Sequence, residues 1–154
     1  MNKQRLIEKL SEANVRAVAR LITLIENEDP LSEEILKKVW NKTGKSYIIG
    51  ITGPPGAGKS TIVDSLAKYL VEKGKKVGVL AVDPTSPFSG GAVLGDRLRM
   101  TGAQSSGIFI RSVASRGHLG GLAATTRLLI NAVELLENDY TIVETVGAGQ
   151  GDVE

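Results

Sequence analysis

The chain has 154 residues, is 42% hydrophobic, and carries a formal net charge of +2 with no cysteine and one histidine. That size allows one domain with a sizeable core, with or without a small helical appendage, and not two full domains. Both signs of charge are interspersed, so no field argues for a nucleic-acid or membrane partner; the lack of cysteine excludes a disulfide framework or thiolate metal site and fits a soluble cytoplasmic protein.

The stretch from Met1 to Leu24 holds Glu8, Lys9, Glu12, Arg16 and Arg20 within its apolar periodicity, so it predicts neither a signal peptide nor a spanning helix. Apolar residues recur at helical spacing at Leu6, Ile7 and Leu10, then at Ala17, Val18, Leu21, Leu24 and Ile25. Asn14 interrupts them and predicts the cap of a second helix. Asp29-Pro30 ends that segment. Ser32, followed by Glu33 and Glu34, reads as the N-cap of a third helix over Leu31 to about Asn41, with Lys37 and Lys38 toward its end and Gly44 beyond. Residues 1–45 therefore read as a helical extension packed on the rest of the chain, because their apolar stripes must be buried somewhere.

From residue 46 the pattern changes to alternating strands and helices, which predicts an α/β fold with a mostly parallel sheet flanked by helices. Tyr47 to Thr52 is an apolar run that reads as a buried strand. It leads directly into Gly53-Pro54-Pro55-Gly56-Ala57-Gly58-Lys59-Ser60-Thr61, which fits the phosphate-binding pattern G-x-x-x-x-G-K-[ST]. Glycines let the backbone curl around an anion, so that amide N–H groups and the N-terminus of the next helix converge on phosphate oxygens. Lys59 can then reach the β and γ phosphates, and the Ser60 hydroxyl is placed to ligate Mg²⁺. A helix over Lys59 to Lys73 comes next, with Ile62, Val63, Leu66 and Leu70 inward and Gly74 as its stop.

The second strand, Val77 to Val82, ends in Asp83-Pro84-Thr85-Ser86. Asp83 reads either as an acid serving Mg²⁺ or the attacking water, or as part of an Asp-Pro turn. A short helix over Ala92 to Met100 carries Asp96, a further acid for the metal shell, with Arg97 and Arg99. A third strand spans Ile108 to Ser112. Arg97, Arg99 and Arg116 read as structural or solvated cations at least as well as phosphate contacts, and His118 as a loop residue. A helix over Leu122 to Glu137, with Leu129, Ala132, Val133 and Leu136 on one face, leads to a fourth strand at Tyr140 to Glu144. Right-handed crossovers put every strand's carboxyl end on one edge, where open α/β sheets bind ligands. At that edge Glu144 is an acid for the Mg²⁺ shell, and Gly147 is spaced to offer its N–H to a γ-phosphate.

Together these segments resemble the MeaB/ArgK-type family, P-loop GTPases associated with methylmalonyl-CoA mutase. The resemblance rests on Arg16 to Asn27, the Gly53 to Thr61 loop, Ala81 to Ser86, Gly90 to Arg97, Gly120 to Ala123 and Glu144 to Gln150. It implies a P-loop NTPase fold that binds GTP and GDP with Mg²⁺. It further implies hydrolysis assisted by Lys59, Asp83, Glu144 and Gly147, with Ser60, Asp83, Asp96 and Glu144 around the metal. The implied partner is an adenosylcobalamin-dependent acyl-CoA mutase, whose cofactor loading and protection the GTPase gates, and the implied assembly of the full-length protein is a homodimer. Gly151-Asp152 departs from the Ser-Glu expected there. Family members also continue for about another domain, including the Asn-Lys-x-Asp motif that reads guanine, so the expectation is a GTPase domain incomplete at its C-terminus. In that case Tyr47 to Thr52 lies at an apolar sheet edge, an association hazard. An ATP-dependent kinase or transport-linked ATPase, or a catalytically silent phosphate-binding module, shares the same residues.

Overall fold

The computed structural model describes residues 2–54, 56–83, 107–114 and 121–145. In chain order they form α1 (Lys3–Ser11), α2 (Val15–Glu26), α3 (Pro30–Val39), a 3₁₀ turn (Trp40–Lys42), β1 (Tyr47–Ile51), α4 (Lys59–Glu72), β2 (Val77–Asp83), β3 (Phe109–Ala114), α5 (Gly121–Glu134) and β4 (Tyr140–Thr145). The helix expected over 92–100 lies outside the described residues, and Asp96, Arg97, Arg99, Arg116 and His118 with it. No described helix is long and apolar enough to cross a membrane.

The first two helices start where asparagine offers an acceptor to the free amides of the opening turn. Asn2 accepts from the Arg5 N–H at 2.9 Å and Asn14 from the Ala17 N–H at 3.1 Å. The third helix corrects the sequence reading, because its N-cap is Asp29 rather than Ser32; Asp29 Oδ1 accepts the Leu31 N–H at 2.9 Å. Pro30 is the reason. It has no N–H to satisfy and its fixed φ suits the first helical position, so the helix begins there and the residue before it becomes the cap. Ser32 is buried inside the first turn, where its hydroxyl donates to the Asp29 carbonyl at 2.8 Å.

The four strands are all parallel, in the order β1-β4-β2-β3. Their register aligns Ile51, Glu144, Ala81 and Ser112 in one row across the sheet. One face is covered by α5 and the N-terminal helices, in a core that joins Leu21, Ile22 and Ile35 to Leu80, Val82, Leu129 and Val143. The opposite face is covered by α4, in a core of Val63, Ala67, Leu70, Val77, Val79, Ile108 and Ile142. Successive residues of β2 and β4 thus enter different cores, which explains why Val79 and Leu80 of β2, and Ile142 and Val143 of β4, are apolar in succession rather than alternating with polar residues. Ile62, expected to point inward, is 55% exposed. The buried stripe of α4 is Val63, Ala67 and Leu70, at spacings of four and three, and Ile62 lies about 100° around the helix from Val63. β1 is at an edge of the described sheet, as expected, and Tyr47 is 69% exposed there.

Several boundaries move, most of all those of β3 and α5. β3 begins one residue later than expected and runs two residues further, because pairing with β2 continues to Asp83 opposite Ala114. α5 ends at Glu134, short of Glu137, and the chain reverses through Glu137 at φ 60°. Asn138 then turns back, its Nδ2 donating to the Val133 carbonyl at 3.1 Å. Gly78 on β2 sits under this reversal. A Cβ at Gly78 would lie 2.5 Å from Val133 Cγ1 and 2.6 Å from Asn138 Nδ2, so nothing larger than hydrogen fits. Gly78→Ala is expected to lower the unfolding free energy by about 2 kcal/mol, the usual scale of overpacking in a filled core. Denaturant titration checks this, and an unchanged midpoint would contradict the packing described.

The N-terminal helices are tied to the sheet by polar contacts as well as by the shared core. Arg111 of β3 donates to Glu26 Oε2 at 3.0 Å and to Thr23 Oγ1 at 3.2 Å. The buried carboxylate of Glu134 accepts the N–H groups of Gly44 at 2.8 Å and Ser46 at 3.0 Å, fixing the segment that feeds β1. Between α1 and α3, Lys3 pairs with Glu34, and its hydrogen bond and charge hold that carboxyl below its ordinary range. This tie is therefore present at neutral pH and is lost on acidification.

Candidate phosphate and metal site

β1 ends at Ile51 and the chain reaches α4 at Lys59, so the expected phosphate loop is the direct connection between them. Gly56 and Gly58 take φ of 78° and 85° with nothing within 4 Å of a Cβ placed on either, so glycine is needed there for its backbone conformation and not for space. Gly58 is the N-cap of α4 and offers no side-chain acceptor. Among the described residues no side chain caps the opening amides of α4, which lie at the positive end of the helix dipole, an arrangement suited to an anion.

Three side-chain contacts organise this end of the molecule. Lys59 Nζ donates to the carbonyls of Gly53 at 2.8 Å and Pro54 at 3.0 Å, so the ammonium spans the loop. Ser60 Oγ donates to Glu144 Oε1 at 2.9 Å, and Glu144 is only 3% exposed. Thr145 Oγ1 donates to Thr52 Oγ1 at 2.8 Å. The parallel register makes these contacts possible, because it sets Ile51 beside Glu144 and brings the ends of β1 and β4 out together.

Of the residues singled out from sequence, Gly53, Pro54, Gly56, Ala57, Gly58, Lys59, Ser60 and Thr61 form the loop and the first turn of α4, with Glu144 brought against Ser60. Asp83 is the last residue of β2, two positions beyond the residue that pairs with Glu144. Pro55, Asp96 and Gly147 lie outside the described residues. Sequence reasoning misses the pair of Thr52 and Thr145, although each adjoins a residue it singles out; only the strand register reveals that they meet.

A hydroxyl and a carboxylate in contact are hard oxygen donors of the kind Mg²⁺ takes, and among the described residues no group of three or more His, Cys, Asp or Glu side chains could enclose a metal. That set fits a magnesium ion, which keeps several waters and shares its shell with substrate phosphates.

Comparison with known proteins identifies a family and relatives for this chain. The family model described as methylmalonyl Co-A mutase-associated GTPase MeaB matches residues 18–154. A Pyrococcus abyssi protein named as a GTPase is 53% identical over 150 residues, which are 97% of this chain and 46% of that protein. A protein of Geobacillus kaustophilus named fused isobutyryl-CoA mutase is 37% identical over 156 residues, covering 95% of this chain and 14% of its own length. Among solved structures, the crystal structure of an LAO/AO transport system kinase superposes with a TM-score of 0.73 at 32% identity, over 97% of this chain and 46% of that one. The chain thus spans about half the length of the Pyrococcus protein and of the kinase structure.

Proposed function

This chain belongs to the family of methylmalonyl-CoA mutase-associated GTPases, MeaB, and from that premise we propose that residues 53–61 bind the phosphates of GTP and GDP with Mg²⁺ held at Ser60 and Glu144. In the whole protein, hydrolysis of GTP is coupled to an adenosylcobalamin-dependent acyl-CoA mutase, gating cofactor loading and protecting the mutase. The Geobacillus relative supports the partner class, since a segment similar to this chain lies within a polypeptide named as an acyl-CoA mutase. In this reading residues 1–45 are a helical extension, residues 46–154 belong to the GTPase domain, and the whole protein is a cytoplasmic homodimer.

Each residue has a task set by its chemistry. The loop amides and the uncapped start of α4 bind phosphate oxygens, and Lys59 turns from the Gly53 and Pro54 carbonyls to the β and γ phosphates. Ser60 and Glu144, hydrogen-bonded to each other, would hold the cation, Glu144 directly or through its water. Magnesium, when bound, would supply positive charge that offsets the charge of the phosphates. Asp96 joins the acidic shell, and Asp83, at the neighbouring strand end, either serves the metal through water or orients the attacking water. Gly147 offers its N–H to the γ-phosphate, so loss of that phosphate frees the segment after β4.

The contact between Ser60 and Glu144 at the head of an uncapped helix is the observation that carries this reading. Fluorescent GTP and ATP analogues titrated into the whole protein, which the chain spans in part, test it, with Mg²⁺-dependent GTP binding preferred at least tenfold over ATP as the expected result. A preference for ATP would instead favour an ATP-dependent enzyme, the reading that the kinase name of the similar crystal structure supports. Binding of neither nucleotide would remove the phosphate site altogether.

A further inference from the structure

The parallel register sets the side chains on the α4 face of the sheet in rows that cross its strands. One row runs Ile49, Ile142, Val79 and Ile110 and is apolar from end to end. The next row toward the carboxyl ends of the strands runs Ile51, Glu144, Ala81 and Ser112. A step of two residues along the strands thus turns an apolar floor into one that carries a carboxylate and a hydroxyl. Both residues are buried, Glu144 at 3% exposure and Ser112 at 5%. Glu144 has the Ser60 hydroxyl as a partner, whereas Ser112 Oγ has no hydrogen-bond partner among the described residues.

A buried hydroxyl without a partner lowers stability, and alanine at the same place would not. The partner it lacks is of the kind that buried water supplies. Glu144 and Ser112 stand on strands separated by β2, so their backbones lie about 10 Å apart at the usual strand spacing. That is too far for a direct hydrogen bond and is roughly three hydrogen-bond lengths, the span of two waters in a chain. Ala81 lies between them in the row, and its methyl leaves the height of a longer side chain unfilled by β2.

We propose that Ser112 is a positioning residue of the phosphate and metal site, its hydroxyl anchoring a short chain of water over Ala81 that hydrogen-bonds the Glu144 carboxylate. The inference deepens the reading of Ser60 and Glu144 as the place of the magnesium nucleotide, and it rests on that reading. Ser60 holds Oε1 of Glu144, and that bond stays as it is. The water chain reaches the other carboxylate oxygen. A carboxylate held at both oxygens presents its charge in one orientation, and partners of this kind behind a metal-binding group contribute about 10–100-fold in metal affinity.

S112A, S112T and S112V, made in the whole protein, test this. Threonine and valine share a shape and differ in the hydroxyl, so comparing them separates hydrogen bonding from volume. At fixed concentration of a fluorescent GDP analogue, the Mg²⁺ concentration for half-maximal binding is expected to rise about tenfold in S112A and S112V and to stay within about threefold of the parent in S112T. Affinity in EDTA should stay within about twofold of the parent in all three. Without nucleotide, S112A should melt no lower than the parent, because it buries one polar group fewer. A crystal structure of the whole protein fine enough to show ordered water should contain the chain over Ala81 in the parent and lack it in S112A. A parent-like Mg²⁺ midpoint in S112A overturns the proposal, as do equal midpoints in S112T and S112V or losses in EDTA as large as those in Mg²⁺. So does a parent crystal in which a protein group, rather than water, bonds Ser112. Those results leave the phosphate loop standing, whereas a parent that binds no nucleotide in Mg²⁺ removes the loop reading itself and this inference with it.

Discussion

Lys59→Ala is expected to weaken binding of GTP in Mg²⁺ by about 100-fold or more while leaving the fold nearly as stable as before. The binding loss comes from the contacts an ammonium makes with phosphate, since charge-assisted hydrogen bonds contribute about 1.5–3 kcal/mol each and about 1.4 kcal/mol is tenfold in affinity. The small effect on stability comes from where the side chain rests in this structure. Its ammonium donates to the carbonyls of Gly53 and Pro54, which lie in a loop open to water, so solvent replaces the lost donor. The change in unfolding free energy should therefore stay below about 1 kcal/mol. Calorimetric titration with GTP and GDP beside thermal unfolding separates the two quantities. GDP should suffer less than GTP, because the γ-phosphate contact is already absent in the parent complex. Affinity within threefold of the parent would remove Lys59 from the phosphate site, and a large drop in melting temperature would show that its bridge across the loop has a structural duty.

The parts of the molecule that are legible in the sequence are those encoded by local rules. Asparagine caps, the 3.6-residue apolar stripes of α2 and α5, the apolar run of β2, and the glycine spacing of the phosphate loop all act within a few residues of chain. Where a local rule meets a stronger local rule, the reading goes astray: the acids after Ser32 point to an N-cap, but Pro30 fixes the start of α3 and hands the cap to Asp29. Ile62 shows a different failure. An apolar residue on an amphipathic helix reads as buried unless the width of the sheet beneath it is known, and that width is set by strand order.

The contacts that assemble the site belong to a third kind, joining residues far apart in sequence through the register of the strands. Ser60 meets Glu144 and Thr52 meets Thr145 because Ile51 pairs with Glu144; a slip of one residue would turn every β4 side chain to the opposite face. Glu144 is still legible as an acid at a strand end, since the chemistry of the site demands one there. Thr52 and Thr145 are not, because a hydroxyl at a strand end has no particular meaning until its partner is known. Glu134 and Arg111 are hidden for the same reason. Their roles depend on amides and carboxylates brought up from the N-terminal segment, and neither residue belongs to a motif.

Glu144→Gln is expected to cost about 30-fold in the affinity for magnesium nucleotide, or about 2 kcal/mol, and to leave affinity in EDTA within about twofold of the parent. The amide oxygen of glutamine can still accept from the Ser60 hydroxyl, so the loop keeps its shape in the absence of ligand. What disappears is the negative charge that a hard divalent cation seeks, whether the carboxylate meets the cation directly or through its water. Stability should move in the opposite sense to binding. Glu144 is 3% exposed, and its described partner is a neutral hydroxyl rather than a cation. Burying a carboxylate in that setting costs more than burying an amide of the same shape, so the variant should melt at or slightly above the parent temperature when no nucleotide is present. A protein that gains stability on losing this charge, and loses its response to Mg²⁺ at the same time, has kept the carboxylate for the ion rather than for the fold. A variant that binds magnesium nucleotide as tightly as the parent would show that the metal is held elsewhere. One that melts several degrees lower would place the charge of Glu144 in the structure of the core instead.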